Sequence, residues 1–306
     1  MHIMGNADHK YKVIEDWGKL PEGISYGYTH GVVADRSDNI YIFNMSRNAV
    51  IVFDSEGNYI RSFGEQFVNG AHGFLLNEEN SEEFLYATDY IRGLVVKMTL
   101  EGKELLTIGT PDLPKVYDET KKYLPTDIAV SPNGDIYTAD GYGQSYIHQY
   151  DSKGQYIRSW GGYGSEPGQF IQPHGISVDT RRDEPEIYVA DRGNNRIQVF
   201  SLDGQYKRLI KGNMNLPCSF FFHNNEMYVP DLYSRVSIFD ENDELITHLG
   251  EDPDAIKQHG WPNLPESYFK PDKFSSPHGV CVDSNDSVYV VEWTEMGRVT
   301  KLCRIY

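Results

Sequence analysis

Internal repetition narrows the folds open to this chain more than any other feature. Six short apolar segments share one layout around a central tyrosine: Ile40-Tyr41-Ile42, Leu85-Tyr86-Ala87, Ile136-Tyr137-Thr138, Ile187-Tyr188-Val189, Met227-Tyr228-Val229 and Val288-Tyr289-Val290. Each is followed within a few residues by a polar side chain: Asn44, Asp89, Asp140, Asp191, Asp231 or Glu292. Each is preceded by another apolar stretch that opens on a short signature: His30-Gly31, His72-Gly73, Thr126-Asp127, His174-Gly175, Cys218-Ser219 or His278-Gly279. Those starts are separated by 42, 54, 48, 44 and 60 residues. A period of about 40–50 residues with four strand-like segments per unit marks a β-propeller, in which one unit buries its apolar face only against its neighbours. The longer spacings place their extra residues in polar, Pro-containing loops, 110–123 and 251–274. Turn signals such as Asp54-Ser55-Glu56-Gly57 and Ser131-Pro132-Asn133-Gly134 separate the strands.

Six repeats predict an all-β, six-bladed β-propeller over residues 1–306 as one domain. After Glu292 only one strand remains, so the last repeat lacks its outermost strand. The N-terminal run Tyr11-Lys12-Val13-Ile14-Glu15-Asp16-Trp17-Gly18 matches the outer strands Tyr59–Gly64 and Tyr156–Gly161. Pairing it with the last blade would close the ring and remove an exposed sheet edge.

The first strand of each propeller blade lines the central channel, so residues at one repeat phase form a ring. Here that ring is His30, His72, Thr126, His174, Cys218 and His278. His72, His174 and His278 fall on alternate blades, related by about 120° of rotation in a six-fold ring. Three imidazoles around one axis, with a coordination position left open, are the pattern of a catalytic zinc or another divalent transition metal. His30 is an additional channel residue or a substrate contact. Asp89, Asp140, Asp191 and Asp231 share a phase too, but an Asp beside a turn ordinarily accepts backbone N–H bonds, which makes them structural.

The net charge is −17, so the clustered Lys and Arg that hold nucleic-acid phosphates are not expected. No run of about 18 apolar residues predicts a membrane helix. The N-terminus has no apolar signal-peptide core, and three cysteines do not make a disulfide framework. A cytoplasmic monomer is the resulting expectation.

The stretch Gln172-Pro173-His174-Gly175 followed by Ala190-Asp191-Arg192-Gly193-Asn194-Asn195-Arg196 resembles the NHL repeat. A narrower resemblance runs along nearly the whole chain, to the peptidyl-α-hydroxyglycine α-amidating lyases. That family is a six-bladed propeller with a catalytic Zn on three histidines, and it splits the C–N bond of an α-hydroxyglycine into a peptide amide and glyoxylate. The matching positions are His72 before Leu124-Pro125-Thr126-Asp127, Pro173-His174 before Ala190-Asp191-Arg192, and Pro277-His278. The resemblance implies a catalytic tyrosine at Tyr142, in Asp140-Gly141-Tyr142. It implies an arginine at Arg47 facing the reacting oxygen, and a substrate-supporting arginine at Arg192. With Tyr142 as base, Zn or Arg47 is expected to lower its phenol pKa. The family's structural Ca is matched only in part. Its Asp after the third zinc histidine is Gly279 here, and its Met two residues before that histidine is Ser276, which leaves backbone carbonyls near Val32 and Phe74.

The expected substrate is a small molecule or a peptide terminus. Two other readings stand beside this one. One is a different metal-dependent hydrolase or lyase acting on a sugar or hydroxy acid. The other is a non-catalytic NHL scaffold that binds protein. The six-bladed lactonases hold their metal with carboxylates and amides, whereas this ring offers imidazoles.

Overall fold

The computed structural model describes residues 1–113 and 115–306; residue 114, in the loop 110–123, lies outside the described residues. The chain is all-β, with only short 3₁₀ turns such as Glu65–Phe67, and it groups into two compact units of three sheets each. No helix is long and apolar enough to cross a membrane among the described residues.

One unit is continuous, Asn69–Ser219. Its three four-stranded antiparallel sheets begin with Ala71–Glu79, Asp127–Val130 and Pro173–Asp179, which we call blades 2, 3 and 4. The other unit joins Met1–Val68 to Phe220–Tyr306. It holds blade 1, opening at Thr29–Ala34, blade 5, opening at Phe221–His223, and blade 6, opening at Pro277–Val282.

Blade 6 closes as the sequence predicts. His9–Ile14 pairs antiparallel with Arg298–Ile305, Val13 opposite Leu302. One strand more than expected, Ile3–Asn6, pairs on the outside and makes this a five-stranded sheet.

The repeated tyrosines explain themselves here. Tyr41, Tyr86, Tyr137, Tyr188, Tyr228 and Tyr289 are all buried. Their rings fill the space between sheets: Tyr86 packs with Ile128 and Ile136, and Tyr289 packs with Trp17, Ile42 and Phe53. A buried phenol needs a partner for its hydroxyl, and several find a carboxylate. Tyr86 donates to Glu79 at 2.6 Å, and Tyr289 donates to Asp283 at 2.9 Å.

The acidic ring is used in the same structural way. Asp191 accepts from Ile171 N–H (2.8 Å), Arg196 Nε (2.6 Å) and Asn194 Nδ2 (2.8 Å), fixing the loop that leads into blade 4. Glu292 does this for blade 6, accepting from Ser275 N–H at 2.6 Å.

Candidate active site

Each ring histidine stands at a β-bulge. In blade 4 Pro173 faces Asp191 and Gly175 faces Ala190, which leaves His174 as the extra residue. Pro277 and Gly279 flank His278 in the same way, and Thr29 and Gly31 flank His30. In blade 2 the register slips between Ala71 and Phe74, around His72. A bulge re-aims one side chain out of the alternation of its strand.

The glycine after each metal-candidate histidine has a specific purpose. A Cβ on Gly73 would lie 2.6 Å from the carbonyl oxygen of Thr126, one on Gly175 2.4 Å from that of Cys218, and one on Gly279 2.6 Å from that of His30. Those same three carbonyls accept the Nδ1–H of the preceding histidine. His72 donates to Thr126 O at 2.6 Å and His174 to Cys218 O at 2.8 Å; in the other unit, His278 donates to His30 O at 2.9 Å. The missing side chain therefore lets the next strand's backbone come close enough to take the proton. A carbonyl can only accept, so each ring is held as the Nδ1–H tautomer, with its lone pair on Nε2. This is the outer-shell arrangement that orients a histidine for metal ligation. His30 departs from it: its Nδ1 faces Tyr28 O of its own segment at 3.2 Å, and its ring packs edge-on against His278 at 4.6 Å.

Within the continuous unit, His72 and His174 converge on Tyr142. Their ring centroids are 4.7 Å apart. The Tyr142 hydroxyl lies 2.9 Å from His72 Nε2 and 3.2 Å from His174 Nε2. With Nδ1 protonated on both rings, the two Nε2 lone pairs face one phenol oxygen. Neutral imidazoles held in this tautomer suit Zn and its neighbours. The donor set therefore fits the expected metal.

Arg192 completes the cluster. It is 8% exposed. Its Nη2 reaches the Tyr142 hydroxyl at 3.4 Å, its Nη1 reaches Cys218 Sγ at 3.7 Å, and its Nε donates to Gln172 Oε1 at 3.1 Å. Among the described residues none of these partners is a carboxylate. A guanidinium buried without an anion is costly, so the site favours an anionic ligand. Gln172 adopts φ 62°, unusual for a residue with a side chain, and its backbone carbonyl also accepts from Arg192 N–H at 3.2 Å.

Burial pushes the Tyr142 phenol up, and the Arg192 charge offsets that only in part; the lowering expected from a bound Zn would act on top of these. Arg47, expected to act on this group, lies at the surface with its side chain 80% exposed and its guanidinium paired with Glu65. Its fork is already closed on a carboxylate, whereas the arginine that reaches Tyr142 is Arg192. Val32 and Phe74 lie two residues after His30 and His72, in the first strands of blades 1 and 2.

Two features escape sequence reasoning. Tyr90, on the turn after Asp89, packs edge-on against His72 (6.0 Å) and Tyr142 (5.5 Å). Beneath the Tyr142 loop runs a hydrogen-bonded chain. Tyr117 donates to Asp140 at 2.8 Å, so its oxygen accepts from His148 Nε2 at 2.6 Å, and His148 Nδ1 accepts from Ser159 Oγ at 2.6 Å. Asp140 in turn takes Leu124 N–H at 2.7 Å and Gln144 N–H at 2.6 Å, on either side of Tyr142. Burial raises the Asp140 pKa to about 6 and lowers that of His148 to about 3.

Comparison with known proteins agrees with this architecture. A family model described as a 6-bladed beta-propeller matches residues 125–249, and the NHL repeat model matches residues 274–302. The chain is thus a six-bladed β-propeller with NHL-type repeat sequence. It is similar to peptidylglycine alpha-amidating monooxygenase of Rattus norvegicus, 28% identical over 58% of this chain and 21% of the rat protein. It is also similar to peptidyl-alpha-hydroxyglycine alpha-amidating lyase 1 of Drosophila melanogaster, 27% identical over 76% of this chain and 44% of the fly protein. The chain therefore spans about a fifth of the first relative and under half of the second. Among solved structures, that of a streptogramin B lyase superposes with a TM-score of 0.65 at 13% identity, covering 98% of this chain and 97% of that one. That likeness concerns the fold.

Proposed function

We propose that this propeller is a metal-dependent lyase of the amidating-lyase kind, acting on an N-acyl-α-hydroxyglycine. The observation that carries the reading is the repeated clasp: His–Gly, with Nδ1–H given to the next strand's carbonyl, at residues 72, 174 and 278. His72 and His174 are two ligands, and His278 is the third that the resemblance implies. A divalent transition metal bound there would supply Lewis acidity and ease loss of a proton from the substrate hydroxyl.

The chain's own groups then divide the work. Arg192, buried without a carboxylate, takes the substrate carboxylate through its planar donor fork. Tyr142 stands where a proton must move. The hydroxyl of the α-hydroxyglycine gives up its proton, the oxygen lone pair becomes the new C=O bond, and the C–N electron pair leaves with nitrogen. Nitrogen takes up a proton to become the amide, and glyoxylate is the other product. A phenol within hydrogen-bond reach of the histidine pair and Arg192 can give its own proton to nitrogen and take up that of the hydroxyl in exchange. The amidating-lyase relatives, the histidine-bearing ring and the chain's acidic balance favour this over an NHL scaffold.

The test begins with elemental analysis of protein purified without a metal-affinity tag. About one transition metal per chain is expected, reduced in His174→Ala. N-benzoyl-α-hydroxyglycine is then supplied and glyoxylate measured with and without chelator. Metal-dependent release supports the reading; absence of metal uptake, or release that ignores the chelator, rejects it.

A further inference from the structure

The turn after the second strand of blade 2 faces the candidate site and has no function in the reading above. Asp89 holds it rigidly, accepting Arg92 N–H at 2.9 Å and Arg92 Nε at 2.6 Å, while Tyr90 N–H donates to Gly70 O at 3.0 Å. Two apolar-bodied side chains stand on this clamped turn. Tyr90 is half-buried, its ring against His72 and Tyr142, and among the described residues its hydroxyl makes no hydrogen bond. Ile91 beside it is 58% exposed. Of the other exposed apolar residues of this unit, Leu105, Tyr156, Ile157 and Tyr206 belong to outermost strands, where exposure is ordinary, and Tyr163 lies in the loop after the outermost strand of blade 3. Ile91 is on a fixed turn, next in sequence to the tyrosine that packs against Tyr142.

We propose that Tyr90 and Ile91 form the subsite for the acyl end of the substrate and select an apolar or aromatic residue immediately before the α-hydroxyglycine. The proposal rests on the lyase reading and adds the side chain that the enzyme prefers. The geometry runs through Tyr142, whose ring has the Arg192 guanidinium over it at 5.8 Å and the Tyr90 ring against it at 5.5 Å. A ligand with its carboxylate on Arg192 and its reacting carbon at the Tyr142 hydroxyl has its acyl end left for the Tyr90 wall. A phenol wall with an isoleucine at its rim desolvates apolar surface and leaves a charged neighbour without a partner.

The experiment compares two substrates on the metal-loaded enzyme, N-acetyl-Phe-α-hydroxyglycine and N-acetyl-Asp-α-hydroxyglycine. The expected kcat/KM ratio is about ten-fold in favour of Phe, the discrimination a modest apolar subsite achieves. Tyr90→Ser should bring the ratio close to one. Ile91→Ser, at an exposed position that folding does not need, should lower it several-fold, chiefly through KM for the Phe substrate. Tyr90→Phe should keep it. Turnover of both substrates without preference, or a ratio unchanged in Tyr90→Ser and Ile91→Ser, overturns the subsite and leaves the lyase reading intact. Turnover of neither substrate overturns the lyase reading, and the subsite with it.

Discussion

Replacing His148 by Gln tests the buried chain under the Tyr142 loop. His148 is 0% exposed, and burial lowers its pKa to about 3. In the unfolded chain the same ring titrates near 6.5. Between those values the unfolded state binds a proton that the folded state refuses, so stability rises with pH by about 1.4 kcal/mol per unit. The contribution is whole above pH 6.5 and is lost as pH falls toward 3. From pH 6.5 to pH 4 the loss is about 3 kcal/mol. Asp140 works in the opposite sense. Its pKa is raised to about 6, so the folded protein takes up a proton earlier than the unfolded one and gains stability as pH falls. Within this buried chain two opposed titrations are joined through Tyr117.

Glutamine keeps a donor for Tyr117 and an acceptor for Ser159 but does not titrate. At pH 7.5 the variant should be less stable than wild type by about 1–2 kcal/mol, from imperfect repacking of a buried site. Urea unfolding followed by tryptophan fluorescence should show that gap closing and reversing as pH is lowered to 4. The swing should be about 3 kcal/mol in the variant's favour. Contributions from groups other than His148 are common to both proteins and cancel in the difference. Parallel stability curves from pH 7.5 to 4 would refute the reasoning.

Tyr142→Phe should retain the metal and lower kcat by about 10²–10⁴-fold, the usual worth of a positioned acid–base group. Unchanged kcat would remove the phenol from proton transfer. Tyr11→Ala removes a ring that is 0% exposed in the closing strand, with its hydroxyl 3.3 Å from that of Tyr228. It should cost about 3–5 kcal/mol in denaturant unfolding, and a loss below about 1 kcal/mol would show that the closing strand contributes little.

Much of the fold was legible because propeller repeats impose one periodic demand six times. A central tyrosine in every second strand and a turn acid after it recur at the same phase, so strand positions and blade number followed from counting. Closure was legible because Tyr11–Gly18 copies the outer-strand pattern of other blades. The added strand Ile3–Asn6 was not, since only Met4 of its four residues is buried and no alternation marks it. At the site, the histidine phase could be read, and so could Arg192, because both sit in repeat signatures. What a linear pattern does not carry is which charge finds a partner. Arg47 fits a family position yet meets Glu65 at the surface, while Arg192 is buried with no carboxylate partner among the described residues. The rise in the Tyr142 pKa depends on how much water the surrounding loops exclude, and those loops come from distant segments. Tyr90 looks in sequence like any aromatic after a turn; only the clamp by Asp89 and the rings it meets give it a role.

The pairing of His9–Ile14 with Arg298–Ile305 has a consequence for the order in which the protein is made. The last blade's sheet joins residues almost 300 positions apart, so it cannot complete until Arg298–Ile305 has been made. The continuous unit Asn69–Ser219 has no such wait: its strands pair with near neighbours in the chain, and it contains His72, Tyr142, His174 and Arg192. On a ribosome this segment is complete while Arg298–Ile305, the partner of His9–Ile14, is still untranslated. The strand His9–Ile14 then waits with an unpaired edge. Its alternating Lys10 and Lys12 are exposed beside buried Tyr11 and Val13, and charged residues along an unpaired edge discourage premature pairing with other chains.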